Sequence, residues 1–150
     1  YRQTAVRREV VRAVISMVDP KEPKMFEVYQ NRLYADQDAE IQLMLVNALG
    51  HYPDNNLQAS VVGFAVTLRS VKVKLRALEI LGDSTDANAV EQVIRGLFDR
   101  DKKVKIATLD CIEKIAGNSP QSAIKAIREF LKQESDPELI KRAETVMEKI

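Results

Sequence analysis

The sequence predicts an all-α fold, an α-solenoid of about 4.5 antiparallel helix-hairpin repeats with roughly nine helices. Two observations carry this. An amphipathic motif starts in the same phase at Gln3, Asp38, Ser70, Asp101 and Asp136, with spacings of 35, 32, 31 and 35 residues that suit two helices and two turns. Within each copy, apolar residues return every three or four positions, which is the period of a helix and not of a strand.

Taken in order, residues 1–19 form a partial repeat whose stripe is Val6, Val10, Val11 and Val14. The helix opens with no turn before it, which predicts that further repeats precede it. Residues 20–50 hold a first helix over 23–34 and a second from Asp38, with Ile41, Leu45, Ala48 and Leu49 on its apolar stripe. Residues 51–82 repeat the plan, with helices over 55–68 and 70–82 and the stripe Val73, Ala77, Ile80 and Leu81. Residues 83–117 hold helices over 86–98 and 101–117, and residues 118–150 hold helices over 120–132 and from Asp136.

Asp38, Ser70, Asp101 and Asp136 are suited to accept hydrogen bonds from unpaired first-turn amides, and Thr85 or Asp86 and Ser119-Pro120 mark further starts. Gly50, Gly82 and Gly117 fall where helices end, which predicts the left-handed conformation that closes the last carbonyls. Gly63 and Gly96 lie inside first helices, where glycine costs about 1 kcal/mol relative to alanine. Close helix packing is the expected reason, and the small residues Ala48, Ala77 and Ala143 point the same way. One hairpin cannot bury both its faces, whereas a stack of hairpins can, so residues 1–150 read as a single domain.

The motif Asp-x-x-aliphatic-basic-x-x-Ala-x-x-x-Leu-Gly, best kept from Ser70 to Gly82 with Val73, Lys74, Ala77 and Leu81, resembles HEAT repeats. It is closest in form to the short bacterial subtype named for phycobilisome lyases. Gln42 and Ile140 depart from the basic position, and Leu45 and Thr108 depart from alanine. The resemblance implies an armadillo-type superhelix and a scaffold or adaptor role, since the motif residues are structural.

Chemistry has little to work with. His51 is the single histidine and Cys111 the single cysteine, so a histidine metal cluster, a Ser-His-Asp relay built from several candidates and an internal disulfide all lack parts. Cys111 sits in an apolar stretch and reads as core filler. The five glycines are isolated, so no phosphate-binding loop occurs. The His-Glu pairs of HEAT-repeat di-iron hydroxylases are absent. Bilin lyases share the repeat subtype without a motif that singles them out here. DNA glycosylases of related architecture pair aromatic residues with an acid, whereas this chain has no Trp and Asp110 has no aromatic neighbour in sequence. The sequence thus predicts no catalytic residue, no metal and no cofactor. No apolar run approaches the roughly 20 residues that span a bilayer, which predicts no membrane insertion; a cytoplasmic location is the accompanying expectation.

A net charge of +1 gives no global steering, so recognition must be local. If second helices line the inner surface, their solvent row includes Met44 and Asn47, then Lys72 and Arg76, then Lys103. Beside it, Arg69, Lys72, Lys74 and Arg76 lie in phase with Arg100, Lys102, Lys103 and Lys105 of the next repeat, making a basic edge. A protein partner with an acidic segment is the leading expectation. Nucleic acid is the alternative, weakened because no aromatic residues interleave with the cations to stack on bases. The plainer reading is a solvated edge partly neutralised by Glu79, Asp99 and Asp101. A second surface is the apolar excess around residues 1–18 and 25–45, read as a truncated end, a self-association surface or, preferably, the seam to upstream repeats.

Overall fold

Side-chain caps fix most of the helix starts. In the computed structural model, which describes residues 2–150 and leaves Tyr1 outside the described residues, α1 spans Arg2–Met17 and α2 spans Pro23–Ala35. Asp38 then accepts from the Ile41 amide to start α3, Ala39–Leu49. Asn55 caps α4, Asn56–Phe64, and Ser70 caps α5, Val71–Leu81, by accepting from the Gln58 and Val73 amides. Asp86 starts α6, Ala87–Val93, and Asp101 starts α7, Lys102–Ile115. Pro120 and Pro137 occupy first turns of α8, Pro120–Gln133, and α9, Pro137–Lys149, where a missing amide costs nothing. Among the described residues all regular structure is helical.

The helix ends depart from expectation. None of the glycines has a positive φ, and Gly50 and Gly82 are right-handed at φ −64° and −65°. The chain closes α3 and α5 by tightening instead. His51 and Tyr52 donate to the Ala48 and Leu49 carbonyls, and Asp83 and Ser84 donate to Ile80 and Leu81, each three residues back. Gly50 makes a close approach, since a Cβ there would lie 2.8 Å from Ile80 Cδ1, whereas a Cβ on Gly82 would meet Cys111 Sγ at 3.6 Å, an ordinary van der Waals contact. Ile80 and Cys111 hold the same motif position in successive hairpins. Gly117 lies in the 3-10 turn Ala116–Asn118 that follows α7. Ser119 makes no side-chain cap; its hydroxyl pairs with that of Ser122.

The predicted first helices 55–68 and 86–98 are also only partly α-helical, narrowing to 3-10 turns over Ala65–Thr67 and Ile94–Phe98. Gly96 shows why space matters there. A Cβ on it would fall 2.1 Å from Thr108 Oγ1 of α7. Likewise a Cβ on Gly63 would fall 2.5 Å from the Gln92 Cβ of α6, so both interior glycines sit at close helix contacts.

Packing follows one rule along the chain. The odd-numbered helices touch in order, α1 on α3, α3 on α5, α5 on α7 and α7 on α9, while α4 packs on α6 and α6 on α8. The hairpin partners α2 and α3, α4 and α5, α6 and α7, and α8 and α9 join the two sets. Ile41, Leu45 and Leu49, then Val73 and Leu81, then Val104, Leu109 and Ile112 are fully buried between them. Each such aliphatic residue contributes about 1.5 to 3 kcal/mol on burial. Thr108 Oγ1 donates to the Val104 carbonyl at 2.7 Å, and Gln58 Nε2 ties α4 to the Leu49 and Tyr52 carbonyls, whereas Gln92 Oε1 is buried beside Gly63 without a hydrogen-bond partner among the described residues.

Candidate partner-binding surface

The cations predicted to form one basic edge divide into two classes according to what the following hairpin places beside them. Lys74, on α5, is held by Asp99 in the loop before α7, with both side chains largely buried. Lys105, on α7, is held at 2.8 Å by Glu134 in the loop before α9. Arg7, on α1, reaches Asp36 in the loop before α3 at 3.0 Å. All three cations hold the motif's basic position, and all three carboxylates stand two residues before the next helix cap. Each carboxylate also accepts the amide of that cap residue, Asp38, Asp101 or Asp136.

This arrangement governs their acidity. For Asp36 and Asp99, burial pushes the carboxyl up, but hydrogen bonds from Arg7 or Lys74 and from the cap amide outweigh it, leaving both below the usual carboxylate range. Glu134 is lowered chiefly by its hydrogen bond from Lys105. Lys74 and Lys105 are therefore engaged in joining hairpins. Lys102 is engaged too, bridging Asp136 at 3.0 Å and Glu138 at 2.7 Å. Arg76 donates to Asn47 at 2.6 Å and pairs with Glu79 at 2.7 Å, so two predicted contact residues, one on α3 and one on α5, bind each other. Met44 lies half-buried on α3, one turn before Asn47.

What remains is a smaller group. Arg69, Lys72, Arg100 and Lys103 are exposed, and among the described residues no carboxylate lies within ion-pair distance of them. Arg69 and Arg100 immediately precede the caps of α5 and α7, and Lys72 and Lys103 lie in the first turns. Neither first turn contains an acidic residue. In α3 and α9, on either side, Glu40 and Glu138 occupy the position of Lys72 and Lys103, and both are paired with cations. Positive charge is thus concentrated at the α5–α7 junction, where the positive ends of two helix dipoles add to it. Asp101 offsets part of this, although its Oδ1 is turned to the Lys103 and Val104 amides.

Sequence reasoning located these four cations but grouped them with residues whose charge is already met. The distinguishing signal was present in the acids Asp36, Asp99 and Glu134, each two residues ahead of a cap.

Other cavities suggest less. A groove of about 440 Å³ is lined by Tyr52, Asp54, Arg76, Asp83, Ser84 and Lys114, but Asp54 is occupied with Thr85 and Ser84. His51 is exposed in the turn after α3. Cys111 is buried, and burial pushes its thiol up to about 12. Among the described residues, no group of three or more His, Cys, Asp or Glu side chains is placed to hold a metal ion, and no helix is long and apolar enough to cross a membrane. No protein-family model matches the chain, and no curated protein matches it.

Proposed function

We propose that this protein is a HEAT-like α-solenoid that acts as a protein-interaction or scaffold module, holding an acidic segment of its partner across the N-terminal ends of α5 and α7. Ordered contacts among the odd-numbered helices, with α4, α6 and α8 packed alongside, support the solenoid reading. On that reading the odd-numbered helices line the concave face, with Met44, Asn47 and Arg76 at its centre and the basic edge beside it. The observation that carries the binding reading is the contrast in charge pairing. Lys74, Lys102 and Lys105 are neutralised by the next hairpin, whereas Arg69, Lys72, Arg100 and Lys103 are exposed without such partners.

Helices packed side by side lie about 8 to 10 Å apart, so the two pairs of cations suit carboxylates spaced along an extended peptide. A labelled glutamate-rich peptide, titrated against the protein, tests this directly. Reversing Lys72 and Lys103 to Glu is expected to weaken binding about tenfold or more, whereas Lys74→Met and Lys105→Met leave it nearly unchanged. Equal losses from both sets, or none, would overturn the assignment. The competing reading is tested by titrating generic DNA and RNA at about 50 and about 200 mM salt. Tight binding that is indifferent to sequence and collapses steeply with salt would make the surface a nucleic-acid site instead.

A further inference from the structure

An open aromatic ring adjoins the unpaired cations. Phe98 ends the 3-10 turn that completes the helix before α7, and it is 52% exposed. It stands three residues ahead of the α7 cap, a place taken by Ala35, Thr67 and Gln133 in the other hairpins, so the repeat itself does not require a ring there. Asp99, which follows, is extended at φ −67° and ψ 153°, and its carboxylate is turned inward to Lys74. Extended backbone sends successive side chains to opposite sides, so Phe98 and Arg100, both exposed, share the outward side.

The ring is held in place. It meets the buried Phe130 of α8 edge-on, with ring centroids 6.5 Å apart. A groove of about 400 Å³ opens there between α6 with its turn and α8, and Ile94, Phe98 and Ala126 supply its apolar lining. The acids beside it are already engaged: Glu129 pairs with Lys132 at 3.2 Å, and Glu91 accepts from the Ser122 hydroxyl. Lys125, which also lines the groove, is exposed. A lone apolar residue on a surface needs no explanation. A ring anchored at a groove, two residues from an unpaired arginine, joins an apolar seat to the cationic one.

We propose that the acidic segment of the partner also carries a large aliphatic side chain two positions from one of its carboxylates, and that this side chain seats in the α6–α8 groove against Phe98 while the carboxylate meets Arg100. The spacing follows from chain geometry. In an extended peptide, side chains two residues apart face the same way about 7 Å from each other, which matches Phe98 and Arg100 across the extended Asp99. The inference rests on the acidic-segment reading and narrows it, because charge attracts many acidic chains and the groove selects among them.

Two labelled peptides of equal charge test this, one built from Ser-Ser-Glu repeats and one in which the first serine of a central repeat is replaced by leucine. The leucine peptide is expected to bind about tenfold tighter. Between about 50 and about 200 mM salt both affinities should fall while their ratio holds, since screening acts on the charges alone. Phe98→Thr and Phe98→Gln, which install the residues found at positions 67 and 133, should abolish the leucine advantage and leave the serine peptide's affinity unchanged, whereas Phe98→Leu should keep most of it. Thermal melts of the three variants confirm that the fold is kept. The proposal is overturned by equal affinity for the two peptides, or by a leucine advantage that survives both Phe98→Thr and Phe98→Gln. Self-association in sedimentation that those variants dissociate would overturn it too, by making a second copy the occupant. The serine peptide reads the cations alone: if it binds and leucine adds nothing, only this proposal falls, and if neither peptide binds, the acidic-segment reading falls with it.

Discussion

Lys105 on α7 lies 2.8 Å from Glu134 in the loop before α9, and it repeats the pairing of Lys74 with Asp99 one hairpin earlier and of Arg7 with Asp36 at the start of the chain. The one interruption explains itself. Where the series calls for a cation at position 42 and an acid at position 68, the chain has Gln42 and Leu68, so both partners are replaced together. Gln42 turns back and donates to the Asp36 carbonyl at 2.9 Å.

Removing one member of a largely buried pair leaves the other uncompensated. Lys105→Met is expected to lower stability by about 2 kcal/mol in urea denaturation, and a double-mutant cycle with Glu134→Gln should show coupling of similar size. Gln42→Lys alone should destabilise the protein, because it buries an ammonium without a partner. Adding Leu68→Asp should recover part of that loss, and a failure to recover any would show that the register differs at this junction.

Acid should weaken the same joints. Asp36, Asp99 and Glu134 have folded-state acidities below their ordinary range, and Asp38 is lowered to about 2, chiefly by its hydrogen bond from Arg8. A depressed carboxylate stabilises the fold above its unfolded pKa and loses that contribution as pH falls through the folded value. The urea midpoint is therefore expected to drop below about pH 4 and to continue falling towards about pH 2. Asp99→Asn should make the protein less stable at neutral pH and flatten this acid slope.

Gly96 offers a test in which intrinsic propensity and packing have opposite signs. Alanine normally improves on glycine in a helical segment by about 1 kcal/mol. Here the clash with Thr108 should reverse that, giving Gly96→Ala a net loss of about 1 to 3 kcal/mol. Thr108→Ala should relieve it, so thermal melts of the two single variants and the double variant are expected to be strongly non-additive.

Cys111 is 4% exposed, its Sγ lies 3.4 Å from the Leu78 carbonyl, and its acidity is suppressed to about 12. The thiolate is the reactive form, so alkylation near pH 8 should be slow in the native protein. Its rate should rise in step with the unfolded fraction as urea is added. Rapid native-state labelling would mean that the α5–α7 contact opens locally.

Helix starts were legible because Asp38, Ser70, Asp101 and Asp136 have short polar side chains ahead of apolar periods, and the local geometry needs little else. Helix ends were less so. The close approach at Gly50 depends on Ile80, about 30 residues further on, and a stop residue says nothing about a neighbour that distant. The basic edge was legible as composition but not as available charge. Periodicity placed Lys72 and Lys74 in the same group, and only the fold brought Asp99 to one of them.

The recurrent pairing also makes the chain divisible. Excising residues 70–100 would join Arg69 directly to Asp101, with Leu68 still two residues ahead of a cap, and it would remove Lys74 and Asp99 together. No ion of that series would be stranded. Removing one helix alone, such as residues 70–85, would instead take Lys74 and leave Asp99 without it, so on this series of pairs length changes without loss only in whole hairpins.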